Sequence, residues 1–336
     1  MRRWRAVRGV YRLEKDRKQR GGVLFPSDLD TDTATWWTHF HYELVEMLLH
    51  QSKTGSPTIF RAVYRSKLRQ APTGPTTIVI AFRGTMMRSA DWEANLMIYL
   101  GRLECHPRFT EGLNAVKRAV KEVGWERVCV TGHSKGSAIG SLVGCAMAEK
   151  GKLIEAHLFN PPHPTLRKER PLGSMSALKP SRWLVGTVEL IHEVSSRALS
   201  ALTQEAEVVE EERKRFRSLS PWRPSLYVNT HDPICSAYIT FFRGAQYLPR
   251  QFSRLHSMPY SIRQSMLCTF GVESRPHHLI PRAKLVIRRH HEFSSSFQDV
   301  REPHKLRQWC DVHPSNVEEV EAHRGGGVDG AEHCYQ

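Results

Sequence analysis

A serine stands between two glycines in the stretch RVCVTGHSKGSAIGSL, residues 127–142. Gly132, Ser134 and Gly136 form the pattern Gly-x-Ser-x-Gly, which follows the apolar run VCVT and precedes a series of small residues. A sharp turn from a strand into a helix strains the serine backbone and leaves no room for larger side chains on either side. Because such a turn exposes a hydroxyl at the end of a strand, we predict that Ser134 is a nucleophile.

The backbone N–H that follows this serine belongs to Lys135. It lies at the predicted start of a helix, where backbone N–H groups stabilise negative charge. A serine that attacks a carbonyl group generates an oxyanion, and each positioned donor lowers the barrier to that step. We therefore predict that the Lys135 N–H is one donor of an oxyanion hole.

A serine nucleophile needs a general base, and the base needs an acid that orients it. When a strand-turn-helix carries the serine, the order along the chain is serine, acid, histidine, and each follows a strand. Asp232 in SLYVNTHDPIC follows the strand-like segment 225–229, although an Asp-Pro turn is an alternative interpretation. His304 in REPHKLRQWC follows the segment AKLVIR at 283–288. The order predicts a triad of Ser134, Asp232 and His304.

Three other histidines lie close to these positions in the sequence. His290 and His291 directly follow the segment 283–288 and leave too little chain for a loop back to the serine. His231 is adjacent to Asp232, and this residue step does not let the carboxylate orient its ring. We interpret His231 as a surface residue.

The segments that must hold these residues alternate between strand-like and helix-like patterns. Helices are predicted at 109–124 and 134–151, and the upstream segment ATWWTHFHYELVEMLLHQ, 34–51, predicts a further amphipathic helix. Apolar runs rich in β-branched residues predict strands at 76–82, 127–131, 153–159, 225–229 and 283–288. This alternation predicts an α/β fold with a mostly parallel central sheet flanked by helices.

The domain boundaries follow from changes in composition. Residues 1–30 form a basic N-terminal segment that we expect to be partly flexible, and 31–312 form the α/β domain. An insert at about 165–224 carries an amphipathic run, RWLVGTVELIHEVSSRALSALTQE, that could cover a site or pack in the core. Residues 313–336 include GGGVDG and are predicted to be a disordered tail.

Composition limits the partners and the compartment. The net charge of +15 favours a solvated basic surface, with weak association with anionic membrane surfaces as the second interpretation. We expect no nucleic-acid partner, since the sequence has none of the common nucleic-acid-binding motifs. Seven scattered cysteines without a Cys-x-x-Cys pair predict neither disulfides nor zinc. Without an apolar signal or membrane-spanning segment, we expect an intracellular, cytoplasmic protein.

Several motifs in a fixed order resemble those of the class 3 lipase family of the α/β-hydrolase superfamily. They are AFRGT at 81–85, DW at 91–92, NL at 95–96, HPRF at 106–109 and VTGHSKG at 130–136. LYVNTHDPIC and HKLRQW are similar to the acid and histidine segments of a plant branch, some members of which are labelled GDSL esterase/lipase. The resemblance extends from Trp36 to Trp309.

The resemblance implies an α/β-hydrolase fold and supports Asp232 and His304 as the acid and the base. It also implies that Thr85, the hydroxyl residue after Arg-Gly, belongs to the oxyanion hole. Two residues depart from the family pattern, because Lys135 replaces a usual leucine and Arg108 a common glycine. A cation at this position would disfavour a very apolar substrate or attract an anionic head group.

Together, motifs and resemblance predict a carboxylic ester hydrolase of the esterase or triacylglycerol-lipase type. It would cleave acyl esters, lipid-derived ones included, through an acyl-enzyme on Ser134, with no metal or organic cofactor. The alternative is a catalytically inactive protein of this fold that binds a lipid or small ligand, since one fold supports many functions.

Overall fold

The computed structural model describes residues 3–21, 37–50, 58–68, 76–84, 106–162, 214–232, 234–243, 280–289, 302–310 and 312–323. Its helices and strands are α1 (Arg3–Gln19), β1 (Tyr42–His50), β2 (Thr58–Ser66), β3 (Ile78–Phe82), α2 (Pro107–Val123), β4 (Val128–His133), α3 (Lys135–Ala148), β5 (Glu155–Phe159), β6 (Ser225–Asn229), α4 (Ala237–Arg243), β7 (Arg282–Arg288) and β8 (Val317–His323).

The strands form one sheet in which their spatial order follows the chain. Neighbouring strands from β3 to β7 run parallel, and the pairs β1/β2, β2/β3 and β7/β8 are antiparallel. Every residue of β3 and β4 is buried, as expected for central strands covered on both faces. The predicted fold class is confirmed as an α/β fold with a mostly parallel central sheet flanked by helices, and the carboxyl ends of β3 to β7 lie at one edge.

Both faces of the sheet are covered by helices because successive strand residues point to opposite sides. On one face, α2 and α3 pack against Ile80 and Phe82 of β3 through Val116 and Ile139. On the other face, α1 packs against Ala81 and its neighbours through Ala6, Val10 and Leu13, all fully buried. The parallel strands are thereby fixed between two apolar layers.

The N-terminal segment differs from the prediction of a partly flexible basic stretch, because residues 3–19 form α1. Its apolar residues recur at helical spacing between the arginines, and they cover the sheet. Glu14 is fully buried, pairs with Arg17 at 2.9 Å and accepts the Ile59 N–H at 2.9 Å. The high density of Lys and Arg conceals this buried stripe in the sequence.

The predicted helix at 34–51 is wrong over half of its length, because Tyr42–His50 form β1. The apolar residues Leu44, Met47 and Leu48 have the spacing of a helix face, and a β-bulge between Leu44 and Glu46 lets Leu44 and Met47 share one face of the strand. The strand prevails because β1 pairs along its whole length with β2, from Tyr42 opposite Ser66 to His50 opposite Thr58. Long-range backbone hydrogen bonds of this kind leave no local sequence signal.

The C-terminal boundary at 312 is also wrong. Residues 317–323 form the edge strand β8, which pairs antiparallel with β7 from Val317 opposite Arg288 to His323 opposite Arg282. The charged sequence VEEVEAH suits an edge strand, whose outer side faces water. The domain therefore includes this strand, and the rest of the predicted tail, 324–336, lies outside the described residues.

Most of the predicted insert, residues 165–213, likewise lies outside the described residues. Its last part is described: Trp222 is buried against Gly144 of α3 and donates its indole N–H to the Ile154 carbonyl at 2.9 Å. Among the helices that the structure describes, none combines the length and the hydropathy that a membrane crossing requires.

Candidate active site

Ser134 occupies the turn between β4 and α3 with φ 53° and ψ −125°, a left-handed conformation that non-glycine residues rarely adopt. A Cβ on Gly132 would lie 2.4 Å from the Gly136 carbonyl oxygen. A Cβ on Gly136 would lie 2.4 Å from the Phe82 carbonyl oxygen. The two glycines are therefore required because backbone atoms, which cannot rotate away, fill the space beside the turn.

The structure brings the three residues of the predicted triad together. His304 Nε2 lies 2.8 Å from Ser134 Oγ, and His304 Nδ1 lies 2.8 Å from Asp232 Oδ2. Asp232 follows β6, and His304 ends a short 3-10 turn, Glu302–His304, beyond β7. The exposed fraction of Ser134 is 7%, and those of His304 and Asp232 are 1% and 0%. These contacts have the geometry of a serine activated by a histidine.

The Asp232 carboxylate is held by several donors besides His304. Oδ1 accepts the Ile234 N–H at 3.0 Å, and Oδ2 accepts from Asn160 Nδ2 at 2.7 Å and from Cys235 Sγ at 3.1 Å. Burial raises the pKa of Asp232, but the charge of His304 and these hydrogen bonds outweigh it and hold the pKa below its usual value. An ionised Asp232 keeps the hydrogen of His304 on Nδ1 and leaves the Nε2 lone pair for the serine.

Asn160 was not predicted from the sequence, and it links Asp232 to the segment 302–310, which carries His304. It follows β5, has φ 46° and is fully buried. Its Nδ2 donates to Asp232 and to the Pro303 carbonyl at 3.1 Å, and its Oδ1 accepts the indole N–H of Trp309 at 2.7 Å. Its position at the carboxyl end of a central strand was the signal available in the sequence.

His133, directly before Ser134, also contacts the segment 302–310. Its Nε2 lies 2.8 Å from the His304 carbonyl oxygen, which can only accept, so Nε2 carries the hydrogen. Its Nδ1 then accepts from the Tyr11 hydroxyl at 2.9 Å, and that hydroxyl accepts the Gly84 N–H at 3.1 Å. Burial, followed by the charge of His304, lowers the pKa of His133 to about 3, so the ring is neutral as this pattern requires.

Of the two residues predicted to form the oxyanion hole, Lys135 lies within the described residues and Thr85 does not. Lys135 is the first residue of α3, the position at which helix N–H groups attract negative charge. Thr85 lies outside the described residues. The preceding residue, Gly84, passes close to Ser134, since a Cβ built on it would lie 3.1 Å from Ser134 Cβ.

In the part of the chain that the structure describes, the other histidines considered from the sequence do not contact Ser134 or Asp232 through their rings. His231 donates its backbone N–H to Asn229 Oδ1 at 2.8 Å, and its Nδ1 lies 3.0 Å from Thr230 Oγ1. It is half-buried, in contrast to the predicted surface position. His290 and His291 lie outside the described residues.

One group among the described residues has side chains typical of metal ligands. The ligand atoms of Cys129, Glu155 and His157 lie within 4.8 Å of one another. Glu155, however, accepts from Arg3 at 2.7 Å, from Thr76 at 2.6 Å and from His157 at 2.8 Å. Because the guanidinium already balances this carboxylate, we assign no metal to the group.

Comparison with known proteins gives one similar curated protein and several distant structures. A GDSL esterase/lipase of Arabidopsis thaliana is 28% identical over 319 residues, which cover 90% of this chain and 86% of the relative. No family model matches the chain. A thermostable esterase of Pseudomonas putida is 13% identical with a TM-score of 0.31, over 77% of this chain and 94% of that one. An esterase of Pyrobaculum calidifontis is 14% identical with a TM-score of 0.29, over 82% and 87%. These two TM-scores are too low to support an inference, whereas the alignment with the Arabidopsis protein spans most of both chains.

Proposed function

We propose that this protein is a serine carboxylic ester hydrolase of the esterase or lipase type. The observation that carries the proposal is the hydrogen-bonded series from Ser134 through His304 to Asp232, with the serine on a strained turn. The name of the Arabidopsis relative supports the same reaction class. The ordered motifs that resemble class 3 lipases support lipid-derived acyl esters as substrates.

The reaction follows from the positions of these three side chains. Ser134 Oγ attacks the ester carbonyl carbon while its proton passes to His304 Nε2, 2.8 Å away. The C–O bond to the alcohol then breaks, and the alcohol leaves with the proton from His304. Water adds to the acyl-enzyme by the same route, which releases the carboxylic acid and restores the serine. The buried Asp232 carboxylate stabilises the imidazolium in both halves.

The oxyanion formed in each half needs donors at the same edge of the sheet. We propose the backbone N–H of Lys135 and, on the resemblance, Thr85. One such donor is worth about 3 kcal/mol of barrier, which corresponds to a factor of more than one hundred in rate.

The proposal is tested with chromogenic esters of graded acyl length and with wild-type and Ser134→Ala proteins. We expect wild-type turnover and a loss of at least about a thousandfold in Ser134→Ala, because the variant retains the oxyanion donors but lacks the nucleophile. Equal residual rates would remove Ser134 as the nucleophile. Binding of esters without turnover by both proteins would favour the ligand-binding alternative.

A second prediction concerns Tyr11, which contacts His133 and Gly84 from α1. Burial raises the pKa of its hydroxyl to about 12, so the group stays protonated and can donate. We expect Tyr11→Phe to lower kcat about tenfold with KM within about twofold, because a lost buried hydrogen bond costs about 1–3 kcal/mol and loosens His133 beside the nucleophile.

The matched control is Tyr42→Phe, which removes another buried hydroxyl hydrogen bond, to the Thr76 carbonyl at 2.8 Å. Both variants are expected to lower Tm similarly, and only Tyr11→Phe to lower kcat. A similar loss of kcat in both, or a change confined to KM, would restrict Tyr11 to stabilising the fold.

A further inference from the structure

A buried amide side chain, that of Asn160, lies between Asp232 and the segment 302–310. The backbone of this residue follows β5, where the carbonyl of the preceding Phe159 accepts the Ser134 N–H at 2.9 Å. The N–H of Asn160 itself donates to the Tyr227 carbonyl of β6 at 2.8 Å. The sheet therefore fixes Asn160 between the serine turn and the strand that leads to Asp232.

The neighbours of this amide decide which of its two terminal atoms is the nitrogen. The Trp309 indole N–H can only donate, and it lies 2.7 Å from Oδ1. The ionised Asp232 carboxylate and the Pro303 carbonyl can only accept, and they lie 2.7 and 3.1 Å from Nδ2. Exchanging oxygen and nitrogen would break all three hydrogen bonds. Asn160 therefore has a single orientation, in which it donates to the acid.

All four hydrogen-bonding positions of the Asn160 amide are occupied. The two hydrogens of Nδ2 go to Asp232 and to the Pro303 carbonyl. The two lone pairs of Oδ1 accept from Trp309 and from Gln308 Nε2, the latter at 3.3 Å. Because Asn160 has no exposed surface, water cannot replace these bonds if the side chain rotates. The amide is thus a rigid donor towards the carboxylate.

The Asp232 carboxylate needs such a donor to keep one oxygen on His304. Its Oδ1 accepts the Ile234 N–H of its own loop, while Oδ2 accepts from His304 Nδ1 at 2.8 Å. Two further donors hold Oδ2, Asn160 Nδ2 at 2.7 Å and Cys235 Sγ at 3.1 Å. A thiol is a weak donor, so the amide is the stronger of these two.

A second buried amide, that of Gln308, holds the same segment in a different way. Its Nε2 donates to the Pro303 carbonyl, and its Oε1 accepts from Asn229 Nδ2 at the end of β6. Within the part of the chain that the structure describes, its side chain makes no hydrogen bond to Asp232. Loss of either amide should loosen the segment 302–310, whereas only loss of Asn160 should release the carboxylate.

We propose that Asn160 is a positioning residue for ester hydrolysis, which acts through Asp232 by holding Oδ2 against His304 Nδ1. This inference rests on the proposed function and adds a fourth side chain to the same site. Since Asn160 is fully buried behind the acid, it should affect the rate of the chemical step and leave substrate binding nearly unchanged.

The first test measures kcat and KM on a neutral chromogenic ester for Asn160→Gly and Gln308→Ala. Glycine removes the amide and suits the left-handed φ of 46°. We expect kcat to fall about thirtyfold in Asn160→Gly, the effect of one lost hydrogen bond to a charged group, with KM within about twofold. Gln308→Ala should lower Tm by a similar amount and kcat by less than about threefold. Equal losses of kcat would restrict Asn160 to holding the segment.

A second variant, Asn160→Asp, keeps the shape of the side chain and the acceptor for Trp309, so the test does not depend on how well glycine packs. Its carboxyl group would lie beside Asp232 Oδ2 and share one proton with it, because two buried carboxylates this close cannot both ionise. The negative charge that faces His304 is then divided, and kcat should fall at least about tenfold. A rate equal to that of wild type would contradict the proposal.

A double-mutant cycle asks whether Asn160 acts through the acid. In Asp232→Ala there is no carboxylate to position, so adding Asn160→Gly should change kcat by less than about threefold. A further thirtyfold loss in the double variant would show that Asn160 acts independently of Asp232. That result would overturn the proposal.

Proton NMR separates this inference from the proposed function, because it needs no turnover. The hydrogen between His304 Nδ1 and Asp232 Oδ2 should give a downfield signal that is absent in His304→Ala. We expect Asn160→Gly to shift this signal and to speed its exchange with water, and Gln308→Ala to leave it unchanged. That pattern without ester turnover in wild type would retain Asn160 as the residue that orients Asp232 and reject the hydrolase. Ester turnover with the same signal in all three proteins would do the reverse.

Discussion

Asp232→Asn is expected to lower kcat for ester hydrolysis by about ten-thousandfold while the protein stays folded. Asparagine keeps the shape of the side chain, but its amide can donate to His304 Nδ1. The histidine would then carry its hydrogen on Nε2, which points at Ser134 Oγ 2.8 Å away, and could no longer accept the serine proton. The imidazolium of the transition state would also lose its buried counter-charge.

The measurement is kcat on a neutral chromogenic ester, with the thermal unfolding temperature recorded beside it. Asp16→Asn in α1 is the control, since it makes the same change of charge in a helix on the other side of the sheet from α3. Loss of kcat in Asp232→Asn at a nearly unchanged unfolding temperature supports the proposed role. A loss below about tenfold would show that His304 keeps its orientation without the carboxylate.

Gly136→Ala is expected to destabilise the protein by about 3 kcal/mol or more. The added Cβ would lie 2.4 Å from the Phe82 carbonyl oxygen and 2.7 Å from its carbonyl carbon. These atoms belong to the central strand β3, every residue of which is buried, so they cannot move without disturbing the sheet. The serine turn should therefore open, and hydrolysis should fall together with stability.

Gly140→Ala, one turn further along α3, is the matched control for this change. There the nearest atoms are side-chain methyl carbons of Leu158 and Val130, at 3.0 and 3.1 Å, which can shift by a few tenths of an ångström. Alanine also favours the helix by about 1 kcal/mol over glycine, so the net change should stay within about 1 kcal/mol. Urea unfolding measures both free energies. Equal losses in the two variants would contradict the backbone explanation for Gly136.

The central strands and the convergence of Ser134, Asp232 and His304 could be predicted from the sequence because their signals are local. The runs that became β3 to β7 are short, apolar and followed by turn residues. Ser134 has flanking glycines, and Asp232 and His304 follow such runs in the order the fold requires. β1 could not be recognised in the same way, since Leu44, Met47 and Leu48 have helical spacing and this segment forms a strand only through bulged pairing with β2.

The supporting residues of the site could not be predicted, because each acts through a contact that only the folded chain creates. Asn160 is 72 positions from Asp232 in the chain, and Tyr11 is 122 positions from His133. Neither belongs to a motif with a known spacing. The basic composition of α1 also concealed that this helix packs on the sheet. For the same reason, the contact of Tyr11 with His133, next to the serine turn, could not be predicted.

The role of Ser134 as the nucleophile is tested most directly by covalent labelling with a fluorophosphonate, followed by peptide mass spectrometry. We expect one phosphonate adduct, located on Ser134, that forms at least about a hundredfold more slowly in His304→Ala because the hydroxyl has lost its base. Labelling of a different residue, or equal rates in wild type and His304→Ala, would contradict it.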